Sequence, residues 1–141
     1  MRILVDTNIF LDYLLDREDA EEVKKFFLYC YKLKNQLYVT TLSLRDIGYV
    51  VHHYTHNKND AHKAQMSVYQ ICSKIIDITA DDAINSLFSD MPDFEDSLQK
   101  ESAERNMIDV IVTNDKKDYK DCGMAVLPLR VINEIFENTL S

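Results

Sequence analysis

The segment Met-Arg-Ile-Leu-Val-Asp-Thr-Asn-Ile-Phe at residues 1–10 contains the strongest indication of the fold. Its consecutive apolar residues run directly into a polar group that begins with Asp6. An uninterrupted apolar strand is typical of parallel sheets that helices cover on both faces, and ligands of such folds bind beyond the carboxyl ends of the strands. The segment therefore predicts a buried first strand that carries Asp6 to a site. Taken alone, Asp6 is better interpreted as the N-cap of a helix from Ile9 to Leu15.

The composition fits one globular domain. The 141 residues can bury a sizeable core, and 46% of them are apolar and 28% charged. Two glycines and two prolines give no indication of a linker or a low-complexity segment. No apolar stretch approaches the ~20 residues of a membrane span, and no signal peptide is recognisable. We expect one domain over residues 1–141, in the cytoplasm and without membrane association.

The net charge and the cysteines limit the classes of function. A formal net charge of -8 argues against a general nucleic-acid coat, which usually has a basic face. The charge is compatible with a metal-dependent nuclease, because bound cations neutralise a cluster of carboxylates. Cys30, Cys72 and Cys122 are odd in number and widely separated, so they predict neither a disulfide framework nor a zinc site.

Short β-rich runs alternate with segments of helical periodicity along the rest of the chain. After the first strand, the predicted strands are residues 37–40, 75–78, 109–112 and 125–127. A repeated strand–helix order predicts a central parallel β-sheet between two helical layers, which is a three-layer α/β/α fold. We expect strand one in the middle of the sheet, because it is among the most apolar strands and edge strands usually are not.

Four acidic residues fall where such a fold could bring them to the end of strand one. Asp115 follows the fourth strand, and Asp46 lies in the first turns of the helix after strand two. Ser43 and Asp46 also have the spacing of a capping box, so a cap and a site are equally good interpretations of Asp46. Asp93 can cap the helix that it opens, and Asp96 lies on nearly the same side of that helix. Either could be a ligand.

These carboxylates predict a site for a hard divalent cation. Right-handed crossovers would place the strand ends and the helix starts at the same edge of the sheet. Clustered carboxylates repel one another unless a cation is bound, and Mg²⁺ or Mn²⁺ takes such oxygen ligands together with water. A metal held in this way can activate water and stabilise developing charge on a phosphate.

Four short segments follow one another along the chain. They are Val-Asp-Thr-Asn at 5–8, Thr-Leu-Ser-Leu-Arg-Asp-Ile at 41–47, Asp-Phe-Glu-Asp-Ser-Leu-Gln at 93–99 with Ala103 behind it, and Val-Thr-Asn-Asp at 112–115. In these segments, which extend over nearly the whole chain, the sequence resembles the PIN-domain ribonucleases, and more particularly the toxins of VapBC pairs. The resemblance implies a PIN-like fold and a metal-dependent endoribonuclease that hydrolyses RNA as the toxin of a toxin–antitoxin system.

The resemblance also implies roles for individual residues. The catalytic carboxylates would be Asp6, Asp46, Asp96 and Asp115. Mg²⁺ or Mn²⁺ would be held by three of them, Asp6, Asp96 and Asp115. The supporting residues would be Asn8, Asp93 and Thr113. The family most often has Glu where this chain has Asp46, which is one methylene shorter.

Aromatic side chains predict a partner. Between residues 18 and 54 there are more of them than one helical stripe can bury, so some should face another chain. They are Phe26, Phe27, Tyr29, Tyr31, Tyr49 and Tyr54. The resemblance implies a homodimer, with an antitoxin helix bound in a groove.

Two other functions stay open at this stage. One is a PIN-like binding module that has kept the fold and lost activity. The other is an Asp-based phosphoryl-transfer domain, such as a receiver or a haloacid-dehalogenase-like fold. Against it, no second Asp stands two residues after Asp6, and the acidic pair of receivers is missing. The absence of glycine-rich phosphate loops argues against nucleotide-triphosphate or dinucleotide chemistry.

Overall fold

Five parallel strands form one sheet at the centre of the molecule. The structure is a computed structural model that describes residues 1–141. The strands are β1 (Arg2–Val5), β2 (Gln36–Thr40), β3 (Lys74–Ile76), β4 (Val110–Val112) and β5 (Val126–Leu127). Their order in the sheet is β3-β2-β1-β4-β5, and every pairing is parallel. The central position of the first strand is confirmed, and the order differs from the 2-1-3-4-5 order of the receiver-like alternative.

Helices cover both faces of the sheet, which confirms the three-layer α/β/α fold. The helices are α1 (Thr7–Leu14), α2 (Ala20–Leu33), α3 (Thr41–Thr55), α4 (Lys58–Ile71), α5 (Ala80–Leu87), α6 (Phe94–Arg105) and α7 (Leu129–Leu140). A short 3₁₀ helix, Lys116–Tyr119, follows β4. No helix has the length together with the hydropathy that a membrane crossing requires.

The alternation of side chains along β1 explains its uninterrupted apolar sequence. Ile3 and Val5 belong to a large core with side chains from α1, α2, α3, α4 and α7, whereas Leu4 belongs to a smaller core on the other face with Ala103 of α6. All three β1 side chains are fully buried. Burying one such side chain contributes about 1.5–3 kcal/mol. Both faces of β1 therefore require apolar residues, and the first polar position, Asp6, comes where the strand leaves the core.

Polar side chains at this edge of the sheet cap three helices. Asp6 caps α1, Thr40 Oγ1 accepts a hydrogen bond of 3.0 Å from Ser43 N at the start of α3, and Asp93 caps α6. The capping box that was considered for Ser43 and Asp46 is wrong, because α3 begins at Thr41 and Ser43 already lies inside it. The buried Thr40 hydroxyl at the end of β2 supplies the cap instead.

The capping box of α5 is present. Thr79 N donates to Asp82 Oδ2 over 2.9 Å, and Asp82 N donates to Thr79 Oγ1 over 3.1 Å. Arg105 at the end of α6 binds Asp82 through both carboxylate oxygens. Burial raises the pKa of Asp82, but the hydrogen bonds from Arg105 and from Thr79 N outweigh it and lower the pKa. Asp82 thus has a structural role, because it caps α5 and joins it to α6.

The three cysteines are free thiols in this structure. Cys30 of α2 is buried, and Cys72 follows the last turn of α4. Burial raises the pKa of both thiols to about 12. Both therefore stay protonated near neutral pH, as expected of cysteines that act as small apolar residues.

Candidate functional site

One pocket of about 340 Å³ opens at the edge of the sheet where β1 and β4 end. The first turns of α1, α3 and α6 form its walls. Its acidic lining residues are Asp6, Asp46, Glu95, Asp96 and Asp115. All four predicted carboxylates and Asn8 therefore line the same pocket, together with Glu95, to which the sequence analysis assigned no role. Asp93 and Thr113 are not among the lining residues.

Asp6 is a helix cap and a pocket residue at once, so the two interpretations of its sequence position are compatible. Only 7% of the residue is exposed. Its Oδ1 accepts a hydrogen bond of 2.8 Å from Thr7 N, and its Oδ2 accepts one of 2.7 Å from Thr113 Oγ1. Burial raises the pKa of Asp6, and the negative charge of Asp115 adds to the increase, while the two hydrogen bonds lower it in part.

Thr113 also connects Asp6 to the residue that follows β4. Its hydroxyl accepts a hydrogen bond of 3.0 Å from Asp115 N while it donates to Asp6. Thr113 itself is fully buried. The Thr113 side chain thus contacts both carboxylate residues from beneath the pocket.

Asp96 is a half-buried carboxylate in the first turn of α6. Its backbone N donates a hydrogen bond of 2.9 Å to Asp93 Oδ1, so Asp93 acts as the N-cap that holds this turn. Burial raises the pKa of Asp96 to about 7, and the charges of Asp6, Asp93 and Asp118 add to the effect. The raised pKa of Asp96 thus reflects burial first and repulsion by neighbouring acidic groups second.

Asp46 differs from the other carboxylates because it has a basic partner. Arg45 Nη1 lies 3.0 Å from Asp46 Oδ1, and the Asp46 side chain is 21% exposed. Arg45 is the one basic residue that lines the pocket. The salt bridge partly neutralises Asp46, whereas Asp6, Asp96 and Asp115 form no salt bridge.

A buried polar network beneath the pocket was not predicted from the sequence. Gln99 Nε2 donates to Ser43 Oγ over 2.9 Å, and Ser43 Oγ lies 2.7 Å from Thr7 Oγ1. Thr40 Oγ1 donates to Gln99 Oε1. Thr40, Ser43 and Gln99 are all buried, and the network joins α1, α3 and α6, the three helices that form the pocket. Its residues lie within or next to the four segments in which the sequence resembles the PIN-domain ribonucleases. That location was the only indication in the sequence that these residues belong to the site.

Tyr119 is a second residue that the sequence analysis missed. It lies at the end of the 3₁₀ helix after Asp115 and is 2% exposed. Burial raises the pKa of Tyr119, and the charges of Asp6 and Asp96 raise it further. The buried Tyr119 hydroxyl stays protonated, and Asp96 is the carboxylate to which it can donate a hydrogen bond.

The chemistry of the pocket fits a hard divalent cation, although the ligands are not preassembled. No three Asp, Glu, His or Cys side chains lie close enough in this structure to form a cation site by themselves. The pocket nevertheless offers the oxygens of five carboxylates, and four of these carboxylates, all except Asp46, lack a basic partner. Mg²⁺ is usually bound through one or two carboxylates and keeps several waters, so it does not need a cage of protein ligands.

A comparison with protein-family models identifies the fold family. The model of the PIN domain matches residues 2–117, which include every residue that lines the pocket. The chain belongs to the PIN domain family. Membership argues against the phosphoryl-transfer alternatives, whose folds are different. No curated protein sequence is significantly similar to this PIN domain.

Solved structures show the same fold at low sequence identity. VapBC2 from Rickettsia felis, bound to a DNA fragment from its promoter, has a TM-score of 0.67 at 15% identity, with 91% of this PIN domain and 98% of that chain covered. A toxin–antitoxin complex from Klebsiella pneumoniae has a TM-score of 0.64 at 20% identity, with 90% and 97% covered. VapC20 from Mycobacterium tuberculosis, a sarcin-ricin loop cleaving toxin, has a TM-score of 0.60 at 13% identity, with 77% and 86% covered.

Proposed function

We propose that this PIN domain is a divalent-metal-dependent endoribonuclease and the toxin of a toxin–antitoxin pair. The observation that carries the proposal is the meeting of Asp6, Asp46, Asp96 and Asp115 in one pocket. Three of these carboxylates have no basic partner, and burial and mutual repulsion raise the pKa of two of them, Asp6 and Asp96. Perturbed carboxylates in a cleft are characteristic of functional sites.

Asp6, Asp96 and Asp115 would hold Mg²⁺ or Mn²⁺. When bound, such an ion lowers the pKa of water and stabilises the charge that develops on a phosphate during hydrolysis. Thr113 orients Asp6 through its hydroxyl, and Asp93 orders the first turn of α6 that carries Asp96. Asp46 would be a weaker ligand than the other three, because Arg45 already neutralises it in part.

The three helices contribute to phosphate binding through their N-termini. The pocket is lined by Thr7 and Asn8 of α1, Leu42 of α3 and Glu95 of α6, all within the first turn of their helix. Helix N-termini carry a partial positive charge and free N–H groups, and they bind phosphate for this reason. The helices thus offset part of the negative charge that would otherwise repel RNA.

The proposed partners are an antitoxin and a second copy of the chain. The antitoxin is supported by the similar structures, several of which are toxin–antitoxin complexes. A homodimer is supported by aromatic side chains that the fold leaves at the surface, of which Tyr31 is 83% exposed. A monomer at all concentrations in analytical ultracentrifugation would contradict the homodimer, and failure to co-purify with the product of a neighbouring reading frame would contradict the antitoxin.

RNA cleavage in the presence of metal tests the enzymatic proposal. Purified protein is incubated with separate tRNA, rRNA and mRNA pools in Mg²⁺, in Mn²⁺ and in chelator, next to the Asp6→Asn variant. We expect cleavage that needs metal and that the variant has lost. Equal cleavage by wild type and variant would point to a contaminating nuclease and would contradict the proposal.

A non-catalytic binding module is a second candidate. The observation in its favour is the Arg45–Asp46 salt bridge together with the lack of three converging ligands. Titration calorimetry separates the two functions, because an enzyme should bind Mn²⁺ in this pocket. An inactive module without metal should show neither Mn²⁺ binding nor cleavage.

A further inference from the structure

An RNA substrate has to approach a strongly acidic pocket. Five carboxylates line it, the chain carries a formal net charge of -8, and a phosphodiester backbone is itself negative. Arg45 is the one lining residue with a positive charge. A bound divalent cation, Arg45 and the helix N-termini offset only part of the charge of the five carboxylates, so a contact at the wall that does not depend on charge would strengthen RNA binding.

An arginine–tyrosine pair on α3 supplies such a contact. Tyr49 follows Arg45 by four residues, which places both on the same face of the helix. The Arg45 Cζ atom lies 5.2 Å from the centroid of the Tyr49 ring. Both residues line the pocket, Arg45 also contacts Asp46, and the Tyr49 residue is 61% exposed. The ring is thus held by a cation on one side and remains largely open to solvent.

An exposed aromatic ring beside an acidic site is suited to bind a nucleobase. Unpaired bases stack on aromatic side chains and on the guanidinium plane of arginine, and this contact does not depend on the charge of the backbone. Bases within a duplex are already stacked and cannot make it. A ring at the pocket wall that binds RNA in this way would discriminate between unpaired and paired RNA.

We propose that Tyr49, held by Arg45, stacks on one unpaired base next to the phosphate that is cleaved, and that Arg45 contacts the RNA backbone there. This inference rests on the proposed ribonuclease function and adds two residues of this chain, Tyr49 and Arg45, that bind the substrate. Tyr49 and Arg45 are positioning residues, which bind the substrate without taking part in the bond cleavage.

The same helix offers a matched control. Tyr54 is 63% exposed, and the Arg17 Cζ atom lies 5.9 Å from the centroid of its ring. This second arginine–tyrosine pair resembles the first in exposure and contact, but neither Arg17 nor Tyr54 lines the acidic pocket. The Tyr54→Ala variant therefore shows the effect of losing an exposed tyrosine of α3 that does not line the pocket.

Binding is measured first, without cleavage. Asp6→Asn protein, which is expected not to cleave, is titrated in Mg²⁺ against a fluorescently labelled unpaired RNA oligonucleotide and against a duplex of the same sequence. Adding Tyr49→Ala should weaken binding of the unpaired RNA by on the order of tenfold or more, which is the usual scale of one base–aromatic stack. Adding Tyr54→Ala should change the affinity for the unpaired RNA less than twofold. The affinity for the duplex should not depend on Tyr49.

Cleavage kinetics then locate the contact. In otherwise wild-type protein, Tyr49→Ala should raise KM for unpaired RNA with little change in kcat, because a stack made equally in the bound and transition states is lost. An abasic nucleotide at one position next to the cleaved bond should raise KM of the wild type by a similar factor. The same abasic nucleotide should not raise the KM of the Tyr49→Ala variant any further.

The outcomes separate this inference from the function on which it rests. If the wild type cleaves RNA with metal but the Tyr49 and Tyr54 variants bind and cleave alike, the stacking contact is refuted and the ribonuclease stands. If the wild type does not cleave but Tyr49→Ala selectively weakens binding of unpaired RNA, the contact stands and the enzymatic function is refuted. If RNA binding is unaffected and Tyr49→Ala instead disrupts binding of a protein partner, the inference is overturned.

Discussion

The Thr113 hydroxyl donates a hydrogen bond of 2.7 Å to Asp6 Oδ2, across 107 positions of sequence. β1 and β4 are neighbours in the sheet, with Val5 paired to Val112, so the residues that directly follow the two strands come into contact. The pairing of β1 with β4 therefore fixes the position of Asp6. This contact makes Asp6 and Thr113 the most informative positions to change.

Replacing Asp6 by Asn should weaken metal binding and cleavage together. The change keeps the size of the side chain but removes one full negative charge from the proposed ligand set, so Mn²⁺ affinity should fall at least tenfold. In chelator the variant should be as stable as the wild type or more stable, because burial and Asp115 already disfavour the charged form of Asp6. Calorimetry, RNA cleavage and thermal unfolding test this. Unchanged Mn²⁺ binding in a folded variant would show that Asp6 is a helix cap only.

Thr113→Val should impair the site without changing the charge of any residue. Valine has nearly the same shape but can neither donate to Asp6 nor accept from Asp115 N. We expect lower Mn²⁺ affinity and lower cleavage, and a loss of about 1–3 kcal/mol of unfolding free energy for the unsatisfied buried groups. Thr113→Ser, which retains the hydroxyl, is the control and should remain close to the wild type. Equal behaviour of the valine and serine variants would argue against a positioning role.

The metal-free protein should become less stable as pH rises from about 4 to about 7. The pKa of Asp96 is raised from its usual value of 3.8 to about 7, so between these values the folded state binds more protons than the unfolded state. The unfolding free energy consequently falls with increasing pH. Denaturant unfolding in chelator over this range measures the slope. Asp96→Asn should reduce it, and Asp81→Asn, at an exposed position of α5 away from the pocket, should not.

Ser43→Ala should destabilise the fold and loosen the pocket. The hydroxyl accepts from Gln99 Nε2 and contacts Thr7 Oγ1, and its loss leaves polar atoms beneath the pocket without a partner. Urea unfolding should show a decrease of about 1–3 kcal/mol, with a fall in cleavage. Ser67→Ala on α4 removes an exposed hydroxyl that bonds only to Lys63 O, and should stay within about 0.5 kcal/mol of the wild type. Equal stability of the two variants would contradict the role of the network.

The sequence by itself predicted the architecture and four of the five carboxylates that line the pocket, but not Glu95. Apolar runs that end at Asp6 and next to Asp115 require strands buried on both faces, and the strand–helix order then makes the sheet parallel. Because parallel strands end at one edge, the acidic residues after the strands and at the helix starts had to come together. These conclusions depend only on local patterns and on connection rules, so one sequence was enough.

The tertiary structure alone decided which partner each of these residues has. The sequence could not distinguish Thr40 from Ser43 as the cap of α3, and it did not show that Gln99 lies beneath the pocket or that Tyr119 is buried near Asp96. Gln99 and Ser43 are 56 positions apart. Such contacts arise from how α1, α3 and α6 pack against one another, because the direction of a side chain depends on the packing of distant segments and not on local periodicity.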